Sequence, residues 1–362
     1  MSKQALSTAA LLFLALLSHA SPKYSYVDAR SVTCINKPIS TRNPYHRLDA
    51  DKYAGMTKGE QEKCRLSCGL AFAFETDSQI VGVRVEMLHC LDGNISAANA
   101  MRGFDLYQEQ GGEWLWAGSN ALKRDVRGES QEIVLSTGLA KGEKRFILYC
   151  PLVAELSSLE IFVSEGCRVT PSENPFRHRV AVWGSSFTQG AGCSRCGMLY
   201  TAQLSRMTGI NFINLGFSGR CRLQQYFADA LIDCPVDAYV IDGFSNPPVE
   251  EIQERLFPFI ERFQKEKPGV PLIFLKTIYR ENRLARPDYE RKEQRREEVA
   301  DSLMKIAVKK YRDVYWVTAT NATGKYHECT TDGTHPGDHG YTLWAESIEK
   351  PVTKILKRYG IR

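Results

Sequence analysis

The sequence has no apolar stretch long enough to cross a bilayer in a stable way, and the one apolar run near its start is too short to do so. The segment Cys193-Ser194-Arg195-Cys196 has the spacing of a zinc or redox motif, but neither a second C-x-x-C nor a histidine pair accompanies it. These absences argue against membrane insertion and against a zinc-stabilised fold. No metal or cofactor is predicted.

The single apolar run lies in residues 1–20. Lys3 supplies a positive charge, Ala9 to Leu17 are apolar, and Ser18-His19-Ala20 places small residues before a cleavage position. This pattern is typical of a secretory signal peptide. No cysteine follows the run closely, which disfavours a lipid-anchored precursor. We therefore predict a secreted or periplasmic protein.

The excess of positive over negative charge is also small, since the formal net charge is only +5. Much of the basic excess lies between Arg291 and Arg312, where acidic residues are interleaved and aromatic platforms are missing. A solvated amphipathic helix is expected there, and no nucleic-acid partner. One buried face of that helix is predicted from the spacing of Val299, Leu303, Ile306 and Ala307.

Cysteine is plentiful by contrast. Export would allow disulfides among the eleven cysteines, and an odd number leaves at least one thiol unpaired or paired between chains. The alternative is that most are buried small hydrophobic residues. The connectivity does not follow from the sequence, and neither does the oligomeric state.

Two halves of the chain differ in their periodicity. From about residue 30 to 168, short apolar runs such as Ile80-Val81-Gly82-Val83-Arg84-Val85 alternate with Gly- and Asp-containing turns. This pattern predicts antiparallel strands in an all-β sandwich. A Pro-containing polar linker, residues 170–175, follows it and marks the predicted domain boundary.

From residue 176 to 362 the chain alternates between strands and helices. The predicted strands are short, apolar runs at 180–183, 212–215, 238–241, 272–275 and 314–317. The predicted helices lie at about 196–207, 222–231, 248–265, 287–311 and 338–358. Such alternation predicts a parallel sheet between two helical layers.

Ligands of such sheets bind beyond the carboxyl ends of the strands. Four segments that could supply catalytic groups follow predicted strands, and they carry Ser186, Gly219, Asn246 and the Asp332/His335 pair. A serine hydroxyl needs a positioned base to become a nucleophile, and an aspartate three residues before a histidine can orient that base. We therefore predict that Ser186, His335 and Asp332 form a catalytic triad.

Over about residues 178–358, which carry these four segments, the sequence resembles the SGNH (GDSL-type) hydrolases. The family's blocks are matched in order by Gly184-Ser185-Ser186-Phe187-Thr188, Asn214-Leu215-Gly216-Phe217-Ser218-Gly219, Asp242-Gly243-Phe244-Ser245-Asn246 and Asp332-Gly333-Thr334-His335-Pro336. The resemblance implies a flavodoxin-like α/β/α domain. It also implies an oxyanion hole formed by the Ser186 and Gly219 N–H groups and the Asn246 side-chain amide.

The N-terminal half is similar to the β-domain that precedes one branch of this family. Its motif G-x-D-L-Y is matched by Gly103-Phe104-Asp105-Leu106-Tyr107. In this chain Ser185 stands where the family usually has Asp, and Phe244 and Pro247 replace the residues that usually flank Asn246. These departures leave Asn246 as the least secure assignment.

Each site residue also has a structural interpretation. Ser186 could cap a helix, Gly219 could permit a positive φ, Asn246 could be a turn residue, and Asp332 could cap a helix. His339 and His327 are rival bases. Trp114, Trp116 and Tyr107 could form a sugar-stacking platform, although a core cluster is favoured.

The resemblance implies a serine esterase acting on a small-molecule or glycan ester, and an O-acetyl group on a carbohydrate is the expected substrate. An edge of the β-sandwich is expected to help form the substrate cleft. The alternatives are a lipid ester or thioester hydrolase of the same fold, and a non-catalytic carbohydrate-binding protein with a degenerate site.

Overall fold

The computed structural model describes residues 23–362 apart from 125 and 127. The predicted signal peptide, residues 1–20, lies outside the described residues. Within them, no helix combines the length and the apolar character needed to span a membrane.

The N-terminal half contains two antiparallel sheets. Its strands are β1 (Tyr24–Asp28), β2 (Thr33–Ile35), β3 (Ala71–Thr76), β4 (Ile80–Cys90), β5 (Gly103–Gln110), β6 (Glu113–Ala121), β7 (Ser130–Thr137), β8 (Lys144–Tyr149), β9 (Ala154–Ser164) and β10 (Val169–Pro171). One sheet has the order β1-β9-β4-β7 and the other β10-β3-β8-β5-β6, with β2 paired to β3. Alternate residues of β4, Val81, Val83 and Val85, are fully buried between the sheets, as the period of two predicts. Helices α1 (Lys58–Arg65) and α2 (Ala98–Met101) lie between strands.

The C-terminal half is a parallel sheet covered by helices. Its strands are β11 (Arg177–Gly184), β12 (Ile210–Gly216), β13 (Ala238–Asp242), β14 (Leu272–Leu275) and β15 (Val314–Val317). Its helices are α3 (Ser186–Gln189), α4 (Tyr200–Thr208), α5 (Gln225–Ile232), α6 (Val249–Glu266), α7 (Pro287–Lys310) and α8 (Asp338–Lys357). The strand order is β12-β11-β13-β14-β15. This is the predicted flavodoxin-like order.

The central strand β11 shows why the domain has three layers. Val180 and Val182 pack in one cluster with residues of α4 and α8, such as Trp344. Ala181 and Trp183 point to the other side and pack in a second cluster with α5, α6 and α7. Because successive side chains of a strand point to opposite faces, the apolar run 180–183 is buried on both sides of the sheet. The predicted fold class is confirmed.

Two local predictions are wrong in detail. Ile306 is 51% exposed, and the buried face of α7 instead contains Met304 and the polar Glu293 and Arg296. The helix therefore packs along a face that includes buried charges, which an apolar pattern cannot identify. Helix α5 begins at Gln225 rather than at 222, since Leu223 adopts a left-handed φ of 55°.

The two halves share a continuous apolar core. One buried cluster joins Tyr107, Tyr149 and Leu152 of the β-sandwich to Leu199 and Tyr200 of the α/β half. The buried Asp105 carboxylate, from the G-x-D-L-Y motif, accepts hydrogen bonds from Arg195 Nη1 at 2.9 Å and Gly197 N at 2.8 Å. The β-sandwich is therefore attached to the segment that follows the first strand of the parallel sheet.

Nine of the eleven cysteines are buried, which agrees with their interpretation as small core residues. Burial raises the pKa of the Cys193 and Cys196 thiols well above the usual range. In the described part of the chain, no group of three or more His, Cys, Asp or Glu side chains is placed to hold a metal ion.

Candidate active site

Ser186 lies at the carboxyl edge of the sheet, directly after strand β11. Its neighbour Ser185 caps the short helix α3 by accepting a hydrogen bond from Phe187 N at 3.2 Å. This leaves the Ser186 hydroxyl free of capping, and Ser186 Oγ lies 2.9 Å from His335 Nε2. The helix-cap interpretation therefore applies to Ser185 and not to Ser186.

Asp332 holds the other side of the His335 ring. Its Oδ2 lies 2.9 Å from His335 Nδ1, and its Oδ1 accepts hydrogen bonds from the backbone N–H of Thr334 at 2.9 Å and of His335 at 2.8 Å. Burial disfavours the carboxylate, but these bonds outweigh it and lower the pKa of Asp332. Because an ionised carboxylate only accepts, Nδ1 carries the proton and Nε2 is left to accept from Ser186.

A pair of residues after β14 holds the His335 loop in place. The Glu281 carboxylate accepts hydrogen bonds from the backbone N–H of Cys329 at 2.8 Å and of Thr330 at 3.1 Å. Asn282 N donates to the Gly333 carbonyl at 2.7 Å. Glu281 therefore fixes the start of the loop at Cys329 and Thr330, and Asn282 fixes Gly333, between Asp332 and His335.

The proposed oxyanion donors are not engaged elsewhere. Among the described residues, the N–H groups of Ser186 and Gly219 have no hydrogen-bond acceptor. Gly219 has a φ of 71°, and no protein atom lies within 4 Å of a Cβ built there, so the positive-φ interpretation is compatible with the functional one. Gly219 lies two residues beyond Phe217, whose N–H donates to the Gly184 carbonyl at 2.7 Å.

Asn246 is placed beside the nucleophile turn through its neighbour. Ser245 Oγ donates to Ser185 Oγ at 2.9 Å, and Ser185 precedes Ser186. The Asn246 side-chain oxygen is buried without a partner in the described residues. The structure thus brings the third block next to the first, and the oxyanion role of Asn246 remains a prediction.

The sequence did not single out Asp242, which lies beneath the nucleophile turn. This last residue of β13 is fully buried in register with Gly184, and its Oδ2 accepts from Thr188 Oγ1 at 3.1 Å and Ser185 Oγ at 3.4 Å. Burial raises its pKa to about 7, although the hydrogen bonds from Thr188 and Ser185 oppose this. A charged residue ending an otherwise apolar strand was the available signal.

The rival bases are placed elsewhere. His339 lies in α8, and the His327 ring packs at 5.5 Å from that of Tyr279. In the described residues neither forms a hydrogen bond with Ser186. The aromatic residues considered as a sugar-stacking platform differ in exposure, since Tyr107 is buried whereas Trp116 is 55% exposed.

The β-sandwich reaches the site through the loop that follows β4. Ser96 Oγ accepts a hydrogen bond from Gly192 N at 2.9 Å, within the turn that follows α3. A cavity of about 190 Å³ separates the two halves here. We call it the interdomain cavity, and its lining includes Lys63, Leu91, Ile95, Met101, Leu152, Gln189, Gly190, Ala191 and Ser218.

Comparison with known proteins assigns both halves. Residues 177–353 match the GDSL-like lipase/acylhydrolase family, and residues 24–169 match the GxDLY domain found at the N-terminus of SGNH-hydrolase-type esterases. A Bacteroides ovatus ATCC 8483 protein described as a GDSL-like lipase is 33% identical, with a TM-score of 0.87 over 92% of this chain and 98% of that one. Sequence comparison with curated proteins gave no match.

More distant structures share the fold. The salicylyl-acyltransferase SsfX3 from a tetracycline biosynthetic pathway has a TM-score of 0.66 and 19% identity over 94% of this chain and 99% of its own. A family two carbohydrate esterase from Clostridium thermocellum, solved with cellohexaose, has a TM-score of 0.58 and 12% identity over 82% and 94% of the two chains. The identity to the Bacteroides protein over nearly the whole length shows that this chain belongs to the GDSL-like lipase/acylhydrolase family.

Proposed function

We propose that this protein is a serine esterase that hydrolyses O-acyl esters, chiefly O-acetyl groups on carbohydrates. The observation that carries the proposal is the hydrogen-bonded chain from Ser186 through His335 to Asp332 at the carboxyl edge of the sheet. Family membership supports ester hydrolysis, and the geometry supplies a nucleophile, a base and a group that orients the base.

In the first half-reaction Ser186 Oγ attacks the ester carbonyl carbon while His335 Nε2 takes the hydroxyl proton. Asp332, kept ionised by its lowered pKa, stabilises the imidazolium that forms. When the tetrahedral intermediate collapses, the bond to the alkoxy oxygen breaks and His335 returns the proton to that oxygen. The alcohol leaves, and the acyl group remains on Ser186.

Negative charge develops on the carbonyl oxygen in both half-reactions. The Ser186 and Gly219 N–H groups, which have no acceptor in the described residues, are the proposed donors to it, together with the Asn246 amide. Such a donor typically contributes on the order of 10²–10³ in rate. In the second half-reaction water attacks the acyl-serine, His335 takes a proton from water, and Ser186 Oγ is reprotonated as the acid leaves.

The choice of substrate rests on proteins that share the fold and on the predicted signal peptide. Structures that share the fold include an acetyl xylan esterase, Est2A, from Butyrivibrio proteoclasticus, with a TM-score of 0.55 and 10% identity. The predicted signal peptide would bring the enzyme to glycans outside the cytoplasm.

The test compares wild type, Ser186→Ala and His335→Ala on 4-nitrophenyl acetate, 4-nitrophenyl octanoate and acetylated xylo-oligosaccharides. Each variant should lose roughly 10³-fold or more in kcat/KM, because the nucleophile and base act as one unit. Ser302→Ala, an exposed serine of α7, is the matched control and should retain activity.

Three outcomes would contradict the proposal in different ways. Full turnover by Ser186→Ala would show that Ser186 is not the nucleophile and would refute the predicted triad. Faster cleavage of octanoate than of acetate would favour the lipid esterase alternative. Binding of xylo-oligosaccharides without turnover of any ester would identify a carbohydrate-binding protein.

A further inference from the structure

Three basic residues cluster next to the proposed oxyanion loop without acidic partners. They are Arg47, Lys63 and Arg220, which we call the basic cluster. In the described part of the chain none of them forms an ion pair with a carboxylate. A fully buried cation such as Arg47 is ordinarily paired with a carboxylate, so its uncompensated charge needs an explanation.

Arg47 is the member that lies deepest. It is 0% exposed, and its Nη1 donates to the Gly216 carbonyl at 2.9 Å while its Nη2 donates to the Lys63 carbonyl at 2.6 Å. Its Nε is buried without an acceptor among the described residues. Gly216 in turn packs on the nucleophile helix, since a Cβ there would lie 2.1 Å from Gln189 N. The buried charge therefore lies directly behind the site.

Lys63 and Arg220 lie closer to the solvent than Arg47 and extend the region of positive charge. Lys63 lines the interdomain cavity together with Gln189 and Ser218, and Ser218 N donates to Gln189 Oε1 at 2.8 Å. Arg220 is exposed, directly follows Gly219, and lies against α1, where a Cβ at Gly59 would be 2.9 Å from its Nη2. Burial lowers the pKa of Lys63, and repulsion from Arg220 and Arg47 adds to the effect.

The carboxylates near the cluster form no ion pair with it. Arg220 shares a cavity with Glu251 and Glu254, and Glu251 pairs with Arg222 and Arg255. Glu60 accepts hydrogen bonds from Thr57 N at 2.7 Å and Tyr226 OH at 3.0 Å, so it caps α1. Asp92, at the interdomain cavity, pairs with Arg124. Burial and repulsion from Arg220 and Arg47 lower the pKa of Lys63, although Glu62 and Glu60 oppose this.

We propose that the basic cluster binds an anionic group, a carboxylate or a sulfate, on the ester substrate beside the oxyanion loop. The natural substrate would then be an acylated acidic glycan rather than a neutral one. This inference rests on the proposed esterase function for its chemistry. Lys63 and Arg220 line separate cavities beside Ser218 and Gly219, so they would attract the anion from the two sides of the oxyanion loop. Arg47 would hold both flanking segments and add positive potential.

The experiment uses three matched esters, an acetylated galactoside, the corresponding uronate and the corresponding sulfate ester. Wild type should cleave at least one charged ester with a kcat/KM roughly 10-fold or more above that of the neutral one, as a charge-assisted hydrogen bond allows. Arg220→Gln and Lys63→Gln should each reduce this ratio severalfold. The preference between uronate and sulfate identifies the anion.

Lys354→Gln is the matched control because it removes the same charge. Lys354 is exposed, and it lies 16 residues along α8, which places it about 24 Å from the start of that helix and far from the site. Its ratio should equal that of wild type. Equal cleavage of the three esters by wild type would overturn the inference while leaving the esterase proposal standing, and so would an unchanged ratio in both cluster variants.

A binding measurement separates the two proposals if no ester is cleaved. Calorimetry on the Ser186→Ala protein should detect binding of galacturonate or inorganic sulfate. The additional change Arg220→Gln in that protein should weaken this binding roughly 10-fold. Absence of binding would overturn the inference whatever the activity of the enzyme.

Discussion

The Asp242 carboxylate lies under the Ser185 hydroxyl, 3.4 Å from Oδ2 to Oγ, one residue from the proposed nucleophile. The Oδ2 atom also accepts from Thr188, whereas Oδ1 is buried without a partner in the described residues. In this chain a carboxylate from the neighbouring strand thus supports the nucleophile turn, in which Ser185 occupies the position where the family usually has Asp.

This relationship predicts a pH-dependent stability. Burial raises the pKa of Asp242 from 3.8 to about 7, so between these values the folded state binds the proton and the unfolded state does not. The Asp242 contribution to the free energy of unfolding should therefore fall as pH rises from about 4 to 7, by up to about 4 kcal/mol. Asp242→Asn cannot titrate and should gain stability relative to wild type across this range.

Urea unfolding at several pH values measures the difference between the two proteins. Asp229→Asn, at a half-exposed position on α5, removes the same charge and serves as the control. A constant difference between wild type and Asp242→Asn from pH 4 to 8 would show that Asp242 is ionised throughout.

The site illustrates which contacts a sequence can predict. Ser186, Asp332 and His335 were predicted because each lies in a short motif that follows a strand, and parallel strands bring their carboxyl ends together. Glu281 could not be predicted in the same way, and for Asp242 the sequence offered only the signal of a charged residue that ends an apolar strand. Their roles depend on hydrogen bonds to distant segments, such as that from Cys329 N to Glu281, which leave no local pattern.

The fold was predictable for a similar reason. Each strand of the parallel sheet contains a short apolar run, and this pattern is local. The spacing of apolar residues in α7 placed Ile306 on the packed face, whereas that face also includes Glu293, which pairs with Arg280 and Arg296 and leaves no apolar signal. The basic cluster was missed too, because Arg47, Lys63 and Arg220 are far apart in sequence.

Asp332→Asn should lower kcat on 4-nitrophenyl acetate by roughly 10²- to 10⁴-fold with little loss of stability. The amide can donate to Nδ1 and would then favour the wrong tautomer of His335, and it cannot stabilise the imidazolium. Circular dichroism and the unfolding midpoint serve as controls for folding. Activity within a few-fold of wild type would show that Asp332 does not orient the base.

Glu281→Gln tests the support of the His335 loop. Glutamine has one acceptor oxygen for the Cys329 and Thr330 donors and lacks the negative charge, so the loop should lose about 1–3 kcal/mol of local stability. We expect kcat to fall roughly 10-fold with KM nearly unchanged, because the base is displaced while the cleft is kept.

Glu328→Gln is the control for that experiment, since Glu328 is exposed and adjacent to the same loop. It should leave kcat unchanged. If Glu281→Gln raised KM and left kcat at the wild-type value, the carboxylate would be acting on substrate binding and not on the base.

The bond between Asp105 and Arg195 should couple the two halves of the protein. Asp105 is 0% exposed and accepts from Arg195 Nη1 at 2.9 Å, Gly197 N at 2.8 Å and Trp116 Nε1 at 2.9 Å. Removing either partner of a buried ion pair leaves an uncompensated charge and typically costs about 3–5 kcal/mol. Asp105→Ala and Arg195→Ala should each destabilise the protein, and the double variant should lose less than the sum because no lone charge remains. Urea unfolding of the four proteins measures this coupling, and strictly additive losses would mean that the pair does not hold the β-sandwich to the catalytic half.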